Sequence, residues 1–157
     1  DLFPEKIKGL CLMNSNAFAD SDERIKVRNR AIALVQKQKE NLIRMSFLNL
    51  FDPELKEHIE KERDAALNEA LKTPIQGYIA MQEGMKHRPN RCHVLQQASF
   101  KKLYIIGKKD PIFSSEQSIQ EAKDNASETV LLPNGHMSHI ENSDAVIRVL
   151  LDFLKRT

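Results

Sequence analysis

Three short runs of strand-forming residues, with one long stretch that holds none, constrain this chain more than anything else in it. The runs are residues 7–13 (IKGLCLM), 102–106 (KLYII) and 129–132 (TVLL). They close at Asn14-Ser15-Asn16, at Gly107-Lys108-Lys109-Asp110-Pro111 and at Pro133-Asn134-Gly135. Such residues end strands because they favour turns or remove a backbone donor. Leu103, Ile105, Val130 and Leu132 alternate, yet their neighbours are largely apolar too, the pattern of strands covered on both faces. Helical patterns follow the last two runs. Residues 115–126 form the weaker one. Residues 144–155 form the stronger, with Val146, Val149, Leu150, Phe153 and Leu154 on one stripe. Strand, helix, strand, helix predicts an α/β fold with parallel strands and right-handed crossovers.

Between the first and second strands, residues 19–99 read as helical throughout. Ile32, Val35, Leu42 and Phe47 recur at helical spacing. Asp52-Pro53-Glu54 reads as a helix start, with Asp52 as N-cap and Pro53 at the first helical position, for a helix running to Lys72 before Thr73-Pro74. A further helix over 75–87 presents Ile75, Tyr78, Ile79 and Met85. The block is too long for an ordinary crossover, so it reads as a cap: 1–18 and 100–157 form the core, and 19–99 an inserted lid. Phe47, Phe51, Tyr78, Met81 and Met85 can pack inside the lid or line an apolar pocket beneath it.

Composition removes several function classes. The chain has 157 residues, 41% hydrophobic and 29% charged, enough for a real core and unlike a disordered chain. With 24 Lys plus Arg against 22 Asp plus Glu, the net charge is +2, which supplies no global attraction to nucleic acid or an acidic membrane. No apolar run approaches the ~18–20 residues of a bilayer span, and no leader-like apolar segment opens the chain. Two cysteines, Cys11 and Cys92, fit a reducing, cytoplasmic setting better than a disulfide scaffold. A basic run (Arg24, Lys26, Arg28, Arg30, Lys37, Lys39, Arg44) faces Glu54, Glu57, Glu60, Glu62 and Asp64 downstream, so a solvated, paired lid face is expected. Residues 86–93 hold two histidines and Cys92 without the paired spacings of a zinc site, and read as a linker.

In an open α/β sheet, ligands sit at the carboxyl ends of the strands. Asp110 follows the second strand and His136 the third, so the two can meet across that end. A carboxylate that accepts a ring N–H fixes the tautomer and makes the histidine a general base. His139 is the competing histidine, at a helix start. Asp110 before Pro111 can equally cap a turn, and Ser138, Ser114 and Ser115 read as loop or cap serines.

With these residues in view, the chain resembles the C-terminal part of the α/β-hydrolase superfamily. PEKIKGLCLMNS resembles the family's sixth strand, IIGKKDPIF its seventh strand and acid loop, LLPNGHMSHIEN its histidine loop, and the segment ending in DFL its closing helix. Strand-Gly-x-x-Asp followed by Gly-His-x-x-His-x-Glu is the specific part of the match. The resemblance implies Asp110 as triad acid, His136 as triad base, a small-molecule substrate under the lid, and no metal or organic cofactor.

The family's Gly-x-Ser-x-Gly nucleophile elbow has no counterpart: Gly9, Gly77, Gly84, Gly107 and Gly135 are all too far apart. The expectation is therefore a fragment of an ester or amide hydrolase, inactive alone, whose nucleophile lies in an N-terminal part. The start at Asp1 rather than Met reads as a cut through a larger fold. A three-stranded remnant with an open edge is expected to associate with that part or with a second copy. The alternative is a non-catalytic module of the same fold that acts in binding.

Overall fold

A computed structural model describes residues 2–55 and 58–157. The expectations that touch Asp1, Lys56 and Glu57 lie outside the described residues. The chain divides into two compact units: Asp1–Ala17, Leu50–Ile59 and Arg91–Thr157 form one, and Phe18–Asn49 with Glu60–Asn90 form the other.

The first unit is built on three parallel strands in the order β1-β2-β3: β1 (Gly9–Met13), β2 (Lys101–Gly107) and β3 (Glu128–Leu132). Leu10 pairs with Lys102 and Met13 with Ile105 on one side, and Leu103 pairs with Glu128 and Gly107 with Leu132 on the other. Side chains of a strand alternate between faces, and β2 uses both. Leu103 and Ile105 join Leu132 with Val146 and Phe153 of the C-terminal helix (Ser143–Lys155). Tyr104 and Ile106 join Leu95 and Ala122 on the opposite face. Burying each large apolar side chain contributes about 1.5–3 kcal/mol, so these two layers supply most of what holds the unit together.

Coverage on both faces holds for β2, which is buried from Lys102 to Gly107, but not for its neighbours. Every residue of β1 is half-buried, and β3 is exposed along most of its length. Apolar neighbours in sequence announce a strand; only a strand with a partner on each side gains full burial. The crossover from β2 to β3 carries a helix (Ser115–Asp124) capped by Ser114, whose Oγ accepts from the Gln117 N–H at 3.3 Å. The cap reading of Ser114 is thus observed.

The second unit is helical. Its longest helix is Asp22–Leu48, capped by Ser21 and interrupted by non-helical dihedrals at Gln38. The others are Glu60–Lys72 and Ile75–His87. Within this unit Arg28 and Arg88 pair with Asp20, and Arg44 with Glu40, so part of the basic run is neutralised locally. Tyr78 and Met85 are half-buried and Met81 is exposed.

Two segments assigned to the insertion from sequence group instead with the strands: Leu50–Ile59, including buried Phe51, and residues 91–99. The expected helix from Asp52 is also different. A single 3-10 turn, Pro53–Leu55, opens there, and the α-helix begins only at Glu60. The linker reading over 86–93 gives way at its end to a short helix, Cys92–Gln97.

Candidate active site

The loops at the carboxyl ends of all three strands converge. Gly107 ends β2, and the next residues are pinned to the loop after β3: the Lys108 N–H donates to the Leu132 carbonyl at 2.8 Å and the Lys109 N–H to the Asn134 carbonyl at 3.0 Å. Asp110 follows, its side chain 2% exposed. Its Oδ1 accepts the N–H groups of Ile112 at 2.7 Å and Phe113 at 3.1 Å. Pro111 lies between Asp110 and those two donors and has no N–H of its own to satisfy. The turn role and the histidine-facing role are therefore not alternatives. Oδ1 closes the turn, while Oδ2 lies 2.8 Å from His136 Nδ1.

Burial pushes the Asp110 carboxyl towards the neutral form. Hydrogen bonds from His136 and Asn14, the charge of His136 and the Ile112 N–H outweigh it and hold the group below the usual aspartate range. An ionised carboxylate can only accept, so the Nδ1 facing it carries the proton. Nε2 is then the nitrogen with a lone pair. The His136 side chain is 22% exposed, enough for that edge to be reached. Phe113 lies against the ring with centroids 5.8 Å apart.

The other sequence candidates fall elsewhere. His139 is exposed on the short helix Ser138–Glu141, and Ser138 is fully buried. Neither is the partner of Asp110. Ser115 begins the helix that Ser114 caps.

Four residues around the pair carry only turn, cap or motif signals in the sequence. Asn14, at the end of β1, has φ of 45°, and its Nδ2 donates to Asp110 Oδ2 at 3.0 Å and to the Gly135 carbonyl at 3.2 Å. A left-handed residue costs about 1–2 kcal/mol, least for Gly, Asn and Asp. Asn14 Oδ1 is buried with no hydrogen-bond partner among the described residues.

Glu141, Asp52 and Asn134 form a second buried cluster beneath the histidine loop. Glu141 Oε1 accepts the Asp52 N–H at 2.6 Å and Oε2 the Met137 N–H at 3.1 Å. Asp52 in turn accepts Asn134 Nδ2 at 3.0 Å and Lys109 Nζ at 3.1 Å. The His136 N–H donates to the Leu50 carbonyl at 2.9 Å. Burial raises the Glu141 pKa despite backbone N–H groups of Asp52, Gly135 and Met137 that favour its charge. Asp52 goes the other way, because the Glu54 N–H, Asn134 and Lys109 overcome its burial.

Glu141→Ala leaves those backbone donors without an acceptor in the interior, at about 1–3 kcal/mol for each such group. A loss of about 3 kcal/mol or more in urea unfolding at neutral pH is expected; a change under 0.5 kcal/mol would refute the bracing role. A carboxyl raised in the folded state stabilises below its unfolded pKa, and that contribution is lost as pH rises through the folded value. The variant should lose this component of the pH dependence.

No family model and no curated protein matches the sequence. Solved structures do match its fold. A thermophilic esterase from Thermogutta terrifontis superposes with a TM-score of 0.90 at 22% identity, over 99% of this chain and 58% of that one. The enol-lactonase of Burkholderia xenovorans LB400 gives 0.85 at 21% identity, over 96% and 57%. An α/β-hydrolase enzyme from a Medee basin deep-sea metagenome gives 0.83 at 16% identity, over 99% and 59%. The chain thus spans between half and two thirds of the length of the structures it resembles.

Proposed function

The chain has a partial α/β-hydrolase fold, and we propose that it is the acid- and histidine-bearing part of a hydrolase that cleaves an ester or amide carbonyl. The observation that carries this reading is the 2.8 Å contact between His136 Nδ1 and the buried Asp110 carboxylate, at the carboxyl ends of adjacent parallel strands. In the reaction, a nucleophile outside these 157 residues attacks the carbonyl carbon. His136 Nε2 takes its proton, gives it to the leaving group, and then activates the water that releases the acyl product. Asp110 holds the ring and stabilises the imidazolium.

The reading assigns the free edge of β1 to a further strand of the same fold, which is where the nucleophile-bearing part would pair. The helical unit serves as the lid that sets substrate choice, for a small molecule. Cys11 and Cys92 are both thiols rather than half-cystines, which fits a reducing compartment, and no helix of the described residues is long and apolar enough to cross a membrane.

The test begins in the reading frame upstream of Asp1, where a strand followed by Gly-x-Ser-x-Gly is expected. The encoded longer protein should hydrolyse a p-nitrophenyl ester, and His136→Ala should reduce kcat by about 10⁴-fold or more. Turnover that survives the substitution would remove His136 from the mechanism. A frame that starts at this point with no nucleophile would favour the non-catalytic module instead.

A further inference from the structure

Asn14 carries a buried amide that a plain turn does not need. It sits at positive φ, it is 8% exposed, and its Oδ1 is buried without a hydrogen-bond partner among the described residues. An outlier of this kind, beside a candidate site, points to a role beyond folding. Its amide spans both functional loops: one group donates to Asp110 Oδ2 at 3.0 Å and to the Gly135 carbonyl, directly before His136, at 3.2 Å.

The arithmetic of the carboxylate explains why that matters. Asp110 Oδ1 is filled by the N–H groups of Ile112 and Phe113. Oδ2 takes His136 Nδ1 and Asn14 Nδ2. A carboxylate has about four acceptor positions, so these four donors leave it no alternative orientation. The amide is also neutral and does not titrate. A Lys or Arg in its place would compete with the imidazolium for the same charge; a water would be free to leave.

We infer that Asn14 is a positioning residue for the Asp110–His136 pair, holding Oδ2 against Nδ1 and tying the acid loop to the histidine loop through Gly135. This rests on the reading that the pair relays a proton, but its test does not use turnover.

The experiment is NMR on the ¹⁵N-labelled chain. In the unaltered protein, the Asn14 side-chain amide protons should exchange with water far more slowly than those of an exposed asparagine. Exchange at the exposed rate overturns the inference. Asn14→Gly is the informative variant, since glycine takes positive φ without strain and so preserves the turn. The expected result is a shift of the Asp110 carboxyl titration to higher pH, with the His136 ring moving from the Nδ1–H tautomer towards a mixture. An unchanged titration and tautomer would leave Asn14 as a turn residue only. Should Asn14→Gly lack native circular dichroism, the exchange measurement on the unaltered chain decides. Failed ester hydrolysis with the NMR results as expected would overturn the hydrolase reading and leave Asn14's placement of the carboxylate intact.

Discussion

Asp110→Asn, made in the protein that carries the nucleophile, should reduce kcat for a p-nitrophenyl ester by about 10⁴-fold while leaving the fold intact. The reason lies in which atom each neighbour demands. The Ile112 and Phe113 N–H groups donate to Oδ1, so in the variant the amide oxygen must occupy that place. The new NH₂ then faces His136 Nδ1 and the Asn14 amide, where Oδ2 had accepted from both. His136 Nδ1 can meet a donor only by giving up its own proton. The proton moves to Nε2, which can then no longer accept one from a nucleophile. Asn14 is left donor against donor. The measurement is kcat across pH, with ¹⁵N shifts of the His136 ring alongside. A variant within tenfold of the parent would mean that Asp110 is not the acid.

The same carboxylate sets a pH limit. Asp110 is held below the usual aspartate range, first against its burial and then by His136, Asn14 and the Ile112 N–H. A carboxyl lowered in the folded state contributes stability above its unfolded pKa, and that contribution is lost as pH falls through the folded value. The tie between the acid loop and the histidine loop should therefore weaken in acid.

Gly107→Ala should be the most damaging small substitution to the fold. A Cβ at this position would lie 2.2 Å from the Gly135 carbonyl oxygen, 2.7 Å from that of Asn134 and 3.0 Å from Asn14 Nδ2. Two of the three neighbours are backbone, and both belong to the loop that carries His136. Neither can yield without breaking the Lys108 and Lys109 hydrogen bonds that pin the loops together. Overpacking of a tight site costs about 1–3 kcal/mol and more where backbone must move, so about 3–5 kcal/mol is expected here. Urea unfolding of the variant against the parent checks it. Stability within 0.5 kcal/mol of the parent would show that the loops do not approach this closely. The glycine is required by the close approach of another backbone, since its own φ is not in the left-handed region.

Much of this was legible in advance. The strand runs could be read because Leu103, Tyr104, Ile105 and Ile106 form a short apolar run rich in strand formers that stops at turn residues, and they are buried on two sides. Asp110 and His136 could be paired because each lies in the loop that follows a strand, and parallel neighbours bring such loops together. Glu141 was visible as the last letter of a motif, but its bonds to Asp52 and Met137 were not. Asp52 carried an N-cap signal, and it does accept the Glu54 N–H at 3.0 Å. Nothing local said that the α-helix would begin only at Glu60 or that Asp52 would be buried against Asn134.

The sequence by itself determined what is local: the strands, most of the helices, and a carboxylate and an imidazole placed after consecutive strands. Periodicity and turn chemistry act over a few residues, so they are written in the order of the chain. The tertiary structure alone decided that Asn14, 96 positions from Asp110, completes the acid's hydrogen bonds, and that Leu50–Ile59 joins the strand unit rather than the helices around it. A buried donor or acceptor must be matched by whichever group the fold brings within about 3 Å, and sequence separation carries no information about which group that is.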